Sequence, residues 1–75
     1  MKIEIFGTGC PKCKKLFENA QEAVRVSGLE ADIVKVEDIE KITEAGVMMT
    51  PALAVDGKIV STGKVLSTEE IKKIL

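Results

Sequence analysis

A chain of 75 residues, 45% hydrophobic and 31% charged, folds to a surface of about 4,500 Å² from roughly 12,000 Å² unfolded, which allows one small core and predicts a single domain over residues 1–75. The 11 basic and 12 acidic residues leave a net charge of -1, which argues against a nucleic-acid partner, and no apolar run approaches the roughly 20 residues of a membrane span. His, Trp and Tyr are absent, which excludes a Cys-His nucleophile pair, a Ser-His-Asp triad and any imidazole metal ligand.

In chain order, Lys2 to Phe6 alternates around Ile3 and Ile5 and predicts a short strand. Gly7-Thr8-Gly9 is a break. Pro11 then suits the first position of a helix, where its missing N–H has no helical partner in any case. Leu16, Phe17, Ala20, Ala23 and Val24 form one apolar helical face, and Gly28 is a C-terminal stop. Ala31 to Val36 reads as a second strand, carrying Ile33, Val34 and Val36. Glu37 and Asp38 open a short acidic helix with Ile39 and Ile42, closed by Gly46, and Met48 to Pro51 is a loop. Ala52–Val55 and Lys58–Ser61 flank Asp56-Gly57, the signature of a two-residue type I′ hairpin. Ser67 with Glu70 forms a capping box for a last helix with Ile71, Ile74 and Leu75 on its apolar side. The order βαβαββα predicts an α/β fold: a parallel, right-handed βαβ unit followed by an antiparallel hairpin. The result is a four-stranded mixed sheet covered by helices on both faces.

Cys10-Pro11-Lys12-Cys13 falls between the first strand and the first helix. Free N–H groups and the positive end of the helix dipole converge there, so a thiolate is stabilised and its pKa drops from about 8.5 toward roughly 3.5–7.5. Lys12, Lys14 and Lys15 add positive potential, and Lys14 joins Glu4 as a candidate for tuning the thiol pKa. The charge is uneven: residues 1–15 carry four lysines against Glu4 alone, and residues 30–44 carry six acids against two lysines. Cys10, at the helix edge, is expected to attack; Cys13, inside the first turn, is expected to resolve.

The chain resembles the thioredoxin superfamily, most closely its short glutaredoxin-like members and the small archaeal and bacterial redox-active disulfide proteins. The carriers are Gly9-Cys10-Pro11-Lys12-Cys13 after the first strand and Met49-Thr50-Pro51 before the Asp56-Gly57 hairpin. The resemblance implies a three-layer thioredoxin-like sandwich and a protein disulfide oxidoreductase. It implies a redox-active Cys10–Cys13 disulfide in place of any cofactor, and a cis Pro51 with Thr50 facing the cysteines. Pro11, Lys12, Thr50 and Pro51 then form the substrate-binding rim. Gly9 stands where thioredoxins carry an aromatic residue. Ser61-Thr62-Gly63-Lys64 stands where glutathione-binding glutaredoxins carry Gly-Gly and an acid. The electron donor implied is thus a flavoprotein reductase rather than glutathione.

Thioredoxins carry a buried aspartate six residues before the first cysteine, and Glu4 holds that offset here; the plainer reading is an exposed strand carboxylate. Met48 and Met49 read as packing or groove residues before soft-metal ligands. A copper carrier is the competing function, since such domains also place CxxC between the first strand and helix. They run βαββαβ, however, with Met where this chain has Thr8. A docking module with regulatory cysteines is a third reading. No metal site is expected, because two thiols without histidine serve zinc poorly. The opening MKIEIF has no apolar signal region, so the chain is expected to be cytoplasmic; it is also expected to be a monomer, and the resemblance implies disulfide-containing protein substrates.

Overall fold

The computed structural model describes residues 1–75. Its elements are β1 (Lys2–Phe6), α1 (Pro11–Ser27), β2 (Asp32–Val36), α2 (Ile39–Glu44), β3 (Ala52–Val55), β4 (Lys58–Thr62) and α3 (Thr68–Ile74). The order is the expected βαβαββα, and the strands form one mixed sheet in the order β2-β1-β3-β4. β1 runs parallel to β2 with Ile3 opposite Ile33 and Phe6 opposite Val36. On its other side β1 runs antiparallel to β3, with Phe6 opposite Ala52. β1 and β3 are therefore central. Every residue of β3 except Val55 is buried, whereas edge strand β2 has no buried residue.

The turn chemistry operates as the residues dictate. Asp56 and Gly57 have φ of 50° and 82°, the paired positive values of a type I′ turn. Asp56 also ties the hairpin to the start of β1. Its N–H donates to the Lys2 carbonyl at 2.7 Å, and its carboxylate accepts from the Lys2 N–H at 2.8 Å. At the end of α1, Gly28 adopts the left-handed conformation and returns its N–H to the Arg25 carbonyl.

The core is divided by the sheet. On one face Ile3, Ile5 and Leu53 meet Leu16, Ala20 and Ala23 of α1, with Leu66 and Ile71 closing the layer. The small residues Ala20 and Ala23, both fully buried, let α1 lie close to the sheet. Asn19 fixes α1 to the segment before α3 by donating to the Leu66 carbonyl at 2.9 Å. The other face is thinner: Phe6, Ala52, Ala54, Val47 and Ile42, the last being the one buried residue of α2. Ile39 is 67% exposed. The helix begins only at Ile39, with Asp38 as its cap. A six-residue helix has too few turns to bury two isoleucines. Ile74 is also exposed at the end of α3, and no helix is long and apolar enough to cross a membrane.

The capping box at α3 is complete. Ser67 Oγ accepts from the Glu70 N–H at 3.2 Å, and Glu70 accepts from the Ser67 N–H at 3.2 Å. That backbone N–H holds the Glu70 carboxyl below its ordinary value. Because Ile71 follows directly and is fully buried, loss of the cap is felt in the core. Ser67→Ala should cost about 1 kcal/mol, read in thermal melts as a Tm lower by about 4–8 °C for a domain of this size. A lowered carboxyl pKa contributes stability above the unfolded value and loses it as pH falls through the folded one. A Glu70→Ala variant should thus differ from the wild type at neutral pH, with the gap narrowing well below about pH 4.3.

Candidate active site

Three segments converge where β1 ends. The Gly7 N–H donates to the Val36 carbonyl at 3.0 Å, and Phe6 pairs with Val36 on one side and Ala52 on the other. The chain leaving β1, the chain leaving β2 and the loop entering β3 therefore lie side by side. Gly7 is buried at the junction. A Cβ there would overlap the Cys13 sulfur and stand 3.9 Å from the Thr50 Cβ. The missing side chain is what admits the sulfur.

Cys10 is the N-cap of α1, with φ -69° and ψ 164°, and Pro11 takes the first helical position. The Cys10 sulfur accepts from the Cys13 N–H at 3.4 Å, and its carbonyl accepts from the Lys14 N–H at 3.0 Å. A sulfur thus stands where a serine or aspartate oxygen would normally cap the helix. Both cysteines are free thiols, with sulfurs 2.8 Å apart. Cys10 is half-buried, and Cys13 is 6% exposed.

The two thiols are pushed in opposite directions. The Cys13 thiol, followed by the N–H groups of Cys13 and Lys12, holds Cys10 below the ordinary thiol value. Burial, followed by the bond to Cys10, pushes Cys13 up. The lysines contribute differently from expectation. Lys12, Lys14 and Lys15 are all exposed, where solvent screens their charge, and the lowering of Cys10 comes from the neighbouring thiol and helix-start N–H groups instead.

Thr50 is exposed and Pro51 is fully buried, with a cis peptide bond between them. The Pro51 carbonyl accepts from the Gly63 N–H at 2.8 Å. Gly63 has φ +69°, and Met49 lies across it, its Cε 3.1 Å from where a Cβ would be. Met48 is 93% and Met49 63% exposed beside this loop. The structure therefore gathers Cys10, Pro11, Lys12, Cys13, Lys14, Thr50 and Pro51 at one end of the sheet. Glu4 is not gathered with them. In β1, Ile3 and Ile5 face α1, so Glu4 faces the opposite side. It lines a groove with Lys2, Phe6, Val34 and Lys41 that Lys35 and Glu37 also border.

Residues at the end of β2, rather than Glu4, border the buried thiol. A cavity of about 290 Å³ opens beside Cys13, over Ile5, between Gly7, Gly9, Lys14, Lys35 and Glu37. The Lys35 ammonium lies 4.5 Å above the Phe17 ring, and a Glu37 carboxylate oxygen is 3.3 Å from the Cβ position of Gly9. Gly7, Lys35 and Glu37 were hidden in the sequence as a break, a strand lysine and part of an acidic helix. The signal that finds them is the parallel pairing of β1 with β2, which aligns the carboxyl ends of both strands. No group of three or more His, Cys, Asp and Glu side chains is close enough to hold a metal ion.

The whole chain, residues 1–75, matches the family model described as a thioredoxin domain. A thioredoxin of Methanothermobacter thermautotrophicus is 51% identical over 75 residues, covering 100% of this chain and 97% of that protein. A thioredoxin of Methanocaldococcus jannaschii is 52% identical over 73 residues, covering 97% and 84%. A probable thioredoxin of Methanothermobacter marburgensis is 35% identical over 63 residues, covering 79% and 74%. With a closely spaced thiol pair capping the first helix of this fold, the chain belongs to the thioredoxin family and is a thiol-based redox enzyme of the disulfide oxidoreductase type.

Proposed function

We propose that the protein reduces disulfides in other proteins, with Cys10 as nucleophile and Cys13 as resolving thiol. The observation that carries this is the asymmetry of two adjacent sulfurs, one half-exposed on a helix cap and one buried behind it. The Cys10 thiolate attacks a substrate disulfide, one substrate sulfur leaves as thiolate, and a mixed disulfide forms. Cys13 then attacks the Cys10 sulfur, the second substrate thiolate leaves, and the Cys10–Cys13 disulfide remains. Two electrons have passed to the substrate. A lowered pKa keeps Cys10 ionised for the first step and makes it the better leaving group when the internal disulfide is reduced.

Thr50 and Pro51, with Pro11 and Lys12 opposite, form the rim that receives the substrate. An extended segment laid along the exposed Thr50 backbone gains main-chain hydrogen bonds as an added strand does. The donor proposed is a flavoprotein reductase rather than glutathione, supported by Ser61-Thr62-Gly63-Lys64 in place of a glutathione-binding Gly-Gly pair. The setting proposed is the cytoplasm, where thiols are kept reduced. The βαβαββα order and Thr8 in the place of a methionine favour this reading over a soft-metal carrier.

The direct test is alkylation with iodoacetamide across a pH series. Cys10 should label first, with a midpoint below about 8.5, and Cys13 later, above it; labelling of Cys13 first at low pH would reverse the roles. Cys13→Ser should accumulate a mixed disulfide with a substrate protein, whereas Cys10→Ser should exchange nothing. The oxidised protein should regain two thiols with a flavoprotein reductase, and turnover by glutathione alone would transfer the donor assignment.

Gly7 supplies a separate check. Cys13 has a single side-chain torsion, so an added methyl group at Gly7 can be relieved only by swinging the sulfur away or by moving the strand. Gly7→Ala should cost about 1–3 kcal/mol as overpacking. It should also raise the alkylation midpoint of Cys10 by displacing the thiol that bonds to it. An unchanged midpoint together with unchanged stability would refute the close approach.

A further inference from the structure

Resting on the Cys10–Cys13 exchange proposed above, we propose that Lys12, Lys14 and Lys15 form a docking surface for acidic protein segments, so that preferred substrates carry Asp or Glu beside the disulfide. All three lysines are exposed on α1, just past the sulfur that attacks. None is paired within the molecule. Glu18, the next acid along the helix, bonds to neither Lys14 nor Lys15; the ion pair of α1 is Glu22 with Arg25, further on. The first turn of α1 contains no acidic residue. In the cavity beside Cys13, Lys14 and Lys35 stand against the single carboxylate of Glu37. The surroundings of the cysteines are thus net positive on a chain whose overall charge is -1.

These charges serve neither the helix nor the thiol. Cations at the start of a helix oppose its dipole, and the lowering of Cys10 comes from the Cys13 thiol and nearby N–H groups. What is left for them is a partner. A molecule whose disulfide reaches Cys10 is a protein, so the anions it brings are side-chain carboxylates. Lys12 to Lys15 span only about 4.5 Å along the helix axis at 1.5 Å per residue. A carboxylate one or two residues from a bound disulfide therefore meets the ammonium groups directly, not across solvent. Such complementarity acts mainly on the rate of encounter and is weakened by salt.

The test uses short synthetic peptides, each with one internal disulfide flanked by Glu, Gln or Lys. Exchange with the reduced protein is quenched by acid and resolved by mass. The readout is the ratio of the rates on the Glu and Gln peptides for the same protein, so any change in intrinsic thiol reactivity cancels. In the wild type the ratio should be about tenfold at low ionic strength and fall toward one at 1 M salt, where charges are screened within about 3 Å. The Lys peptide should be slowest. Replacing all three residues, as Lys12→Gln, Lys14→Gln and Lys15→Gln, should bring the low-salt ratio close to one. Replacing Lys58, Lys72 and Lys73 by Gln removes the same charge from the hairpin turn and the last turn of α3, and should leave the ratio unchanged. The first triple variant should melt no lower than the wild type, because the cations oppose the dipole.

A wild-type ratio near one at low salt overturns the proposal. So does a ratio that survives loss of the α1 lysines, or one that the remote variant lowers equally, since net charge would then account for it. A clear fall in melting temperature would show the lysines holding the helix and would also overturn it. A wild type that exchanges with none of the three peptides would instead sink the Cys10–Cys13 exchange itself.

Discussion

The structure turns on one steric condition: the backbone at the end of β1 must come into contact with the sulfur of Cys13. Glycine at position 7 meets it by having no side chain to displace. The same residue donates its N–H to β2 and lies level with the loop that enters β3. A single position just past the strand thereby sets the mutual distances of the cysteine pair, the Thr50-Pro51 loop and the Lys35–Glu37 corner. Each belongs to a different part of the chain, and none touches the others by sequence proximity.

Around that junction the Cys13 thiol and the backbone N–H groups, rather than the charged side chains, supply the electrostatics. Helix starts are normally satisfied by an oxygen, and α1 uses a sulfur. The unpaired N–H groups at such a terminus favour negative charge, and the thiol of Cys13 adds another donor. The arrangement is self-contained: the donor that favours a Cys10 thiolate is the group that later attacks Cys10. Burial keeps Cys13 protonated in the meantime. The lysines of the first turn have no acidic residue there to balance them and stay in solvent, where their influence on the sulfurs is weak.

Much of this was legible from residue order. Asp56-Gly57, Ser67 with Glu70, Pro11 and Gly28 each have one dominant local reason for their places, and each occupies the place that reason assigns. The cysteine spacing likewise fixed its own location on the first helical turn. What escaped depended on which strands become neighbours. The face to which Glu4 points follows from the alternation around Ile3 and Ile5, but its distance from the cysteines requires knowing where α1 lies. Glu37 is remote from Cys13 along the chain and reaches it only through the register of β1 with β2. Which isoleucine of α2 is buried was not legible, because a helical pattern of six residues does not specify a face; Asp38 serves as the cap and Ile42 alone is buried.

The uneven covering of the sheet has its own consequence. The face under α1 and α3 holds eight buried side chains in one cluster, whereas the face under α2 holds five, to which α2 contributes only Ile42. Local unfolding is easiest where few apolar contacts must be broken, and α2 has one buried residue to release against four in α1. The segment leading into α2 carries Glu37. The wall of the cavity beside Cys13 thus adjoins a helix held by a single buried side chain, while the cysteines ride on the most deeply packed helix.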